Sequence, residues 1–273
     1  MKISKSILRF TLVALFFASL SYGQTNEEAP ESDEAALAKA TQNPLAAMYS
    51  LPFQNNTTFG VGEYDRTQNV LNIQPVIPIG LGEKINLINR IIIPVITQPS
   101  SSEDNSSTGV GDISYTAWFS PTKAGKITWG IGPVFQIPTA GDADEFGTRE
   151  FGIGPSIVAL TTLDKWVVGI VTNNVWTFGD AAENKFLFQY FANYNLPNAV
   201  YLVSAPILTA NWNAASGEKW IVPFGAGIGK VFKIGKQPIN VNAQGYYNAV
   251  RPDAWGAWQM RIQVQLLFPK KKK

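Results

Sequence analysis

The chain has 273 residues, is 45% apolar and 15% charged, and carries a formal net charge of +2. That near-neutral balance argues against nucleic acid as a partner, which requires a basic surface. The sequence has no Cys and no His, which removes thiol nucleophiles, disulfides, zinc fingers and Ser-His-Asp chemistry, so that any metal site would need carboxylates alone and no cofactor is expected.

The first segment carries targeting information. Lys2, Lys5 and Arg9 precede an apolar run over residues 10–20, and Ser21 and Gly23 stand where a signal peptidase reads small residues. Residues 1–23 therefore read as a secretory signal peptide, too short to span a bilayer, with Gln24 opening the mature chain. Export without Cys points to a bacterial envelope. Residues 24–46 are acidic and then Ala-rich. They predict a short helix over residues 35–40, capped by Ser32, or a flexible linker. As a unit this segment is expected to be periplasmic or to plug a lumen.

From residue 47 to 273 the pattern changes to period two. In the last segment Trp258, Met260, Ile262, Val264, Leu266 and Phe268 alternate with Gln259, Arg261, Gln263 and Gln265. One face is apolar and the other polar, as in a half-buried strand. Ile239, Val241 and Ala243 alternate in the same way with Asn240, Asn242 and Gln244. Strands are predicted at 48–61, 68–80, 84–97, 109–120, 126–137, 149–162, 165–177, 185–195, 199–212, 219–230, 238–248 and 256–268. The parity of 165–177 and 199–212 is ambiguous. A repeat of about 18 residues is too long for the 8–12-residue rhythm of a sandwich, and strands of about 10–13 residues can cross a bilayer at a tilt.

The connectors alternate between long polar loops (63–68, 98–108, 139–148, 179–184, 213–217, 249–255) and short turns (80–83, 121–125, 162–164, 196–198, 232–237). This is the outer-membrane pattern. In lipid every backbone amide must be paired, so the sheet must close. The predicted fold is all-β: a closed antiparallel transmembrane β-barrel of about 12 strands with a short helical or disordered N-terminal segment. A soluble two-sheet protein is the alternative. An even strand count puts both termini on the short-turn, periplasmic side. Tryptophans near strand ends, such as Trp129, Trp166, Trp212 and Trp258, fit interfacial girdles. Pro75, Pro94, Pro133, Pro155, Pro206 and Pro223 fall inside the strands, which must carry bulges or be shorter than drawn.

Several blocks carry a resemblance: Leu37-Ala-Lys-Ala-Thr-Gln-Asn-Pro44, Ser50-Leu-Pro-Phe-Gln-Asn-Asn56, Leu71-Asn-Ile-Gln-Pro-Val-Ile-Pro78, Gly111-Asp-Ile113, Trp129-Gly-Ile-Gly-Pro-Val-Phe-Gln136 and Leu266-Leu-Phe-Pro269. Together they resemble the outer-membrane proteins grouped under the label "MetA-pathway of phenol degradation", whose members are often labelled transporter or mislabelled neuromedin U. The resemblance implies an outer-membrane barrel with a transport role and supplies no binding residues.

Gly225-Ala-Gly-Ile-Gly-Lys230 is not a phosphate loop, because Phe224 and Val231 stand where Gly and Ser/Thr are required. Gly130, Gly132, Gly152 and Gly154 are expected to face inward. They would leave a hollow for a plug or substrate, or allow strand curvature. The candidate lumen-lining path is Arg90, Asp112, Gln136, Glu150, Asn240, Asn242, Gln244, Gln259, Arg261 and Gln263. Amides outnumber charges there, so small neutral or weakly charged organic solutes are expected. Alternatively, Arg90 and Arg261 pair with Asp112 or Glu150 and merely fill the lumen.

The expected function is a passive channel or uptake transporter in the outer membrane of a diderm bacterium. A closed structural or adhesive barrel is the alternative. No enzymatic activity is expected, since barrel hydrolases of related size rely on His. The expected partners are outer-membrane lipid, a small organic solute and the barrel-assembly machinery. Phe268 resembles the C-terminal aromatic which that machinery reads, although Pro269 and four lysines follow it.

Overall fold

A computed structural model describes residues 33–99, 105–123, 125–143 and 145–269. The expected signal peptide, the Ser32 cap and the terminal lysines lie outside the described residues. Helix α1 spans Asp33–Thr41. The strands are β1 (Tyr49–Val61), β2 (Arg66–Ile73), β3 (Val76–Leu81), β4 (Ile85–Pro99), β5 (Ser106–Val110), β6 (Ile113–Pro121), β7 (Thr128–Ile137) and β8 (Phe151–Leu163). They continue with β9 (Trp166–Phe178), β10 (Asn184–Asn195), β11 (Val200–Ser204), β12 (Ile207–Asn211), β13 (Trp220–Ile234), β14 (Gln237–Val250) and β15 (Trp258–Phe268). A 3-10 turn, Pro197–Ala199, joins β10 to β11.

These fifteen strands belong to one sheet, and β2/β3, β5/β6 and β11/β12 are halves of single staves, which leaves a closed antiparallel barrel of 12 strands. Closure is made by β1 and β15, paired from Tyr49↔Phe268 to Phe59↔Trp258. No described helix is long and apolar enough to cross a membrane, so the crossings are made by strands.

Proline explains most of the interruptions. It cannot donate to a ladder. The break between β2 and β3 falls at Gln74–Pro75, and that between β11 and β12 at Ala205–Pro206. Pro223 sits at a register shift against β14. Pro133 and Pro155 oppose each other across β7 and β8. Beside them the bridges lapse between Thr116↔Val134 and Phe119↔Ile131, and between Ile153↔Trp176 and Ser156↔Asn173, without a change of register.

The outer surface is apolar along its length. On β15, Met260, Ile262 and Val264 are 40%, 42% and 37% exposed, whereas Arg261 is 5% exposed. A closed sheet that presents isoleucine, valine and aromatic side chains outward needs a lipid solvent. The interior has two zones. A buried apolar cluster includes Ile88, Trp118, Val158, Leu160, Val167, Val231 and Leu267, all near the short-turn ends of their strands. The rest of the interior is polar. The inward side of β9 joins the apolar zone through Val167 and Val171, while Trp166, Ile170 and Trp176 face out. Both faces of the first half of that strand are therefore apolar and its middle is polar on both, which is why its alternation is unreadable in the sequence.

Candidate functional site

The N-terminal segment enters the barrel cluster. Aspartate in the first turn of α1 and Lys39 in the last complement the helix dipole. Beyond α1, Asn43 accepts the Leu45 amide through its side chain at 2.8 Å and turns the chain. Ala38, Leu45 and Met48 are then buried with Trp118, Val158 and Tyr201. Gln42 and Asn195 exchange amide hydrogen bonds of 2.9 and 3.1 Å. Glu34 pairs with Lys233 of β13 at 3.4 Å.

The wall glycines divide in role. A Cβ on Gly130 would meet Leu45 Cδ2 at 3.0 Å, so Leu45 occupies the hollow that this glycine leaves. Cβ atoms on Gly132 and Gly154 would lie 1.8 and 1.6 Å from the carbonyl oxygens of Ala117 and Asn174. These two positions have no hollow. They let the neighbouring backbone pucker inward beside the prolines, which is the curvature role.

Above this segment lies a cavity of about 190 Å³, lined by Arg90, Asn240, Asn242, Gln244, Arg261 and Gln263 together with Gln74, Gln54, Gln265, Tyr201 and an apolar side of Val171, Phe191 and Val203. Its polar wall is a connected network. The Tyr201 hydroxyl donates to Asn240 Oδ1 at 2.7 Å, and Asn240 Nδ2 donates to Gln265 Oε1 at 3.1 Å. Gln244 Nε2 donates to Asn242 Oδ1 at 2.7 Å, and Tyr246 donates to Gln244.

Arg261 serves the broken stave. Its Nη1 donates to the Ala205 carbonyl at 2.8 Å, its Nε to Asn56 Oδ1 at 2.9 Å, and its guanidinium lies 5.2 Å from the Tyr246 ring centre. Ala205 in turn donates its N–H to the Tyr246 hydroxyl at 3.2 Å, and its carbonyl also accepts from Gln189. The backbone groups freed before Pro206 are thus satisfied from inside the lumen. Arg90 donates to Gln74 Oε1 at 2.6 Å.

A second cavity, of about 420 Å³, lies toward the long loops and is lined by Gln136, Asn173, Lys185, Leu187, Thr209, Asn211, Glu218 and Lys219. Asp112 and Glu150 line neither of these cavities, and nor does Gln259. Asp112 accepts the backbone amides of Thr139, Ala140, Thr148 and Arg149 at 2.9–3.1 Å and clasps the loop between β7 and β8. Gln136 bridges Asp112, Thr148 and the Glu150 carbonyl. Glu150 accepts the Ala181 amide at 3.3 Å, and Gln259 donates to Asn248 at 2.8 Å. Neither arginine therefore meets the carboxylates expected as partners.

No family model matches the chain, and no curated protein does. Among solved structures it is similar to the COG4313 outer membrane channel from Pseudomonas putida F1, at 16% identity and a TM-score of 0.61, over 89% of this chain and 100% of that one. It also matches the KdgM porin in complex with disordered oligogalacturonate, at 9% identity and a TM-score of 0.46 over 81% of this chain and 99% of that one. A third match is outer membrane phospholipase A from Escherichia coli, at 13% identity and a TM-score of 0.41 over 82% and 97%. The fold is that of a bacterial outer-membrane β-barrel.

Within this barrel, Tyr201, Tyr246 and Gln42 are lumen residues that sequence reasoning missed. Tyr246 was reachable: the parity of Asn240, Asn242 and Gln244 carries on to Tyr246 and Asn248, both buried. Tyr201 lies on the stave whose parity was ambiguous, and Gln42 lies outside any periodic segment.

Proposed function

We propose that the protein is a channel of the outer membrane of a diderm bacterium that passes small neutral or weakly charged organic solutes. On this reading residues 1–23 are an export signal, residues 24–46 restrict the lumen, and 47–273 form the pore. The single observation that carries it is the pair of cavities stacked along the lumen, the lower lined by amides and two arginines, the upper opening toward the long loops. Amide linings offer donors and acceptors without a strong field, as solute pores do. Asn240, Asn242, Gln244, Arg261, Gln263 and Arg90 would form the narrow path and Gln136 its entrance, while Asp112, Glu150 and Gln259 would shape the wall and loops. The sequence blocks support placement in the family labelled for phenol degradation, and Phe268 supports recognition by the barrel-assembly machinery. Absence of His from the whole chain supports a role other than hydrolysis.

Single-channel recording in planar bilayers tests the proposal. The full mature chain is expected to give small steps, and a chain lacking residues 25–43 larger ones. Silence from both would reject a channel. A specific observation favours a second reading, a closed structural barrel: Leu45 and Met48 are packed into the same apolar cluster as the wall. Unchanged silence after the deletion is what that reading requires.

A further inference from the structure

The lower cavity has an unbalanced charge. Arg90 and Arg261 are the charged side chains that line it, and no Asp or Glu does among the described residues. Each guanidinium carries five N–H donors. Arg90 spends one on Gln74, and Arg261 spends two, on Asn56 and Ala205. All of these acceptors are neutral. The two like charges share the lining of one cavity. Removing cations from water is costly unless an opposite charge is supplied, and the described lining residues supply none.

The walls say which anion would answer this. Guanidinium donors match the two coplanar oxygens of a carboxylate. The amides of Asn242, Gln244 and Gln263 add donors on the same side. The lining also includes Val171, Phe191 and Val203, set among Gln189 and Asn193, and these three will cover an apolar body. At about 190 Å³ the cavity is smaller than the 300–1,000 Å³ of sites that hold drug-sized ligands, so the occupant is small. We propose that this cavity is a binding site for a small organic monocarboxylate, its carboxylate held between Arg90 and Arg261 and its apolar body against Phe191. The assignment deepens the channel reading by naming a substrate class, and it rests on that reading for its physiological use.

The test is binding, measured without conduction. The intact protein in detergent is titrated calorimetrically with potassium benzoate, at constant ionic strength held with potassium chloride. Saturable binding is expected, with benzyl alcohol, which has the ring without the charge, failing to compete. Arg90→Gln and Arg261→Gln should each weaken benzoate at least ten-fold, while Lys185→Gln in the upper cavity leaves it unchanged. Heat-modifiable migration reports that each variant has folded. The wild-type competition stands even if Arg261→Gln does not fold. No benzoate binding, equal displacement by benzyl alcohol, or equal affinity for chloride and benzoate would overturn the site. A silent bilayer would overturn the channel reading instead and leave a carboxylate-binding barrel.

Discussion

Arg261 does structural work that the sheet cannot do for itself. Pro206 ends the ladder between β11 and β12, and the Ala205 carbonyl then depends on the guanidinium while its N–H depends on Tyr246. Leaving a buried backbone donor unpaired costs about 1–3 kcal/mol. Tyr246→Phe is therefore expected to lower stability by that amount, read as a shift in the urea unfolding midpoint in lipid vesicles. An unchanged midpoint would mean that the Ala205 amide finds another partner. Val264 looks into lipid near the middle of β15, and Gln263 looks into the lower cavity. Val264→Arg should cost about 2–4 kcal/mol, the penalty for a cation on the lipid face at mid-membrane. Gln263→Glu, beside two guanidiniums, should cost less. If the order is reversed, the register of β15 is wrong.

At the scale of elements, strands and loops are shaped by proline, glycine and one aspartate. Gly154 stands beside Pro155, where the Asn174 carbonyl takes the space of a side chain. A backbone atom cannot step aside, so Gly154→Ala should reduce folding yield sharply. Gly130→Ala meets the end of the Leu45 side chain, which can shift, and should be milder. Equal refolding yields in detergent would contradict this. Asp112 is a different device, since it gathers four loop amides with one carboxylate. Asp112→Ala should leave the barrel folded but make the loop between β7 and β8 cleavable by external protease.

The alternation in β14 and β15 is clean because their inward residues face a polar cavity and their outward residues face lipid. The barrel, its closure and the inward placement of Arg90, Arg261 and the β14 amides follow from that contrast. It fails for the first half of β9 and for β11, where the inward residues join an apolar cluster and period two vanishes. The clasp role of Asp112 is not in the local pattern either. It depends on a loop that returns to the strand after 27–37 residues, and no period reports such contacts.

At the scale of the whole molecule, the wall and the N-terminal segment are held by different interactions. The wall is held by continuous ladders, closed by β1 and β15. The N-terminal segment is held by a few side chains: Leu45 and Met48 in the apolar cluster, the Gln42–Asn195 amide pair, and Glu34 with Lys233. Burying one leucine is worth about 1.5–3 kcal/mol, and an exposed ion pair adds at most about 1 kcal/mol. The segment should therefore leave the lumen long before the wall unfolds. Leu45→Asp puts a charge against Trp118 and Val158, where nothing pairs it, and should release the segment outright. Limited proteolysis should then cut within residues 33–48 of the variant but not of the wild type. The temperature at which the barrel loses its heat-resistant migration should stay the same, and single-channel steps should grow toward those of the deletion. If Leu45→Asp instead lowers that temperature along with protease resistance, the segment and the wall form one cooperative unit, and the segment is a core element rather than a plug.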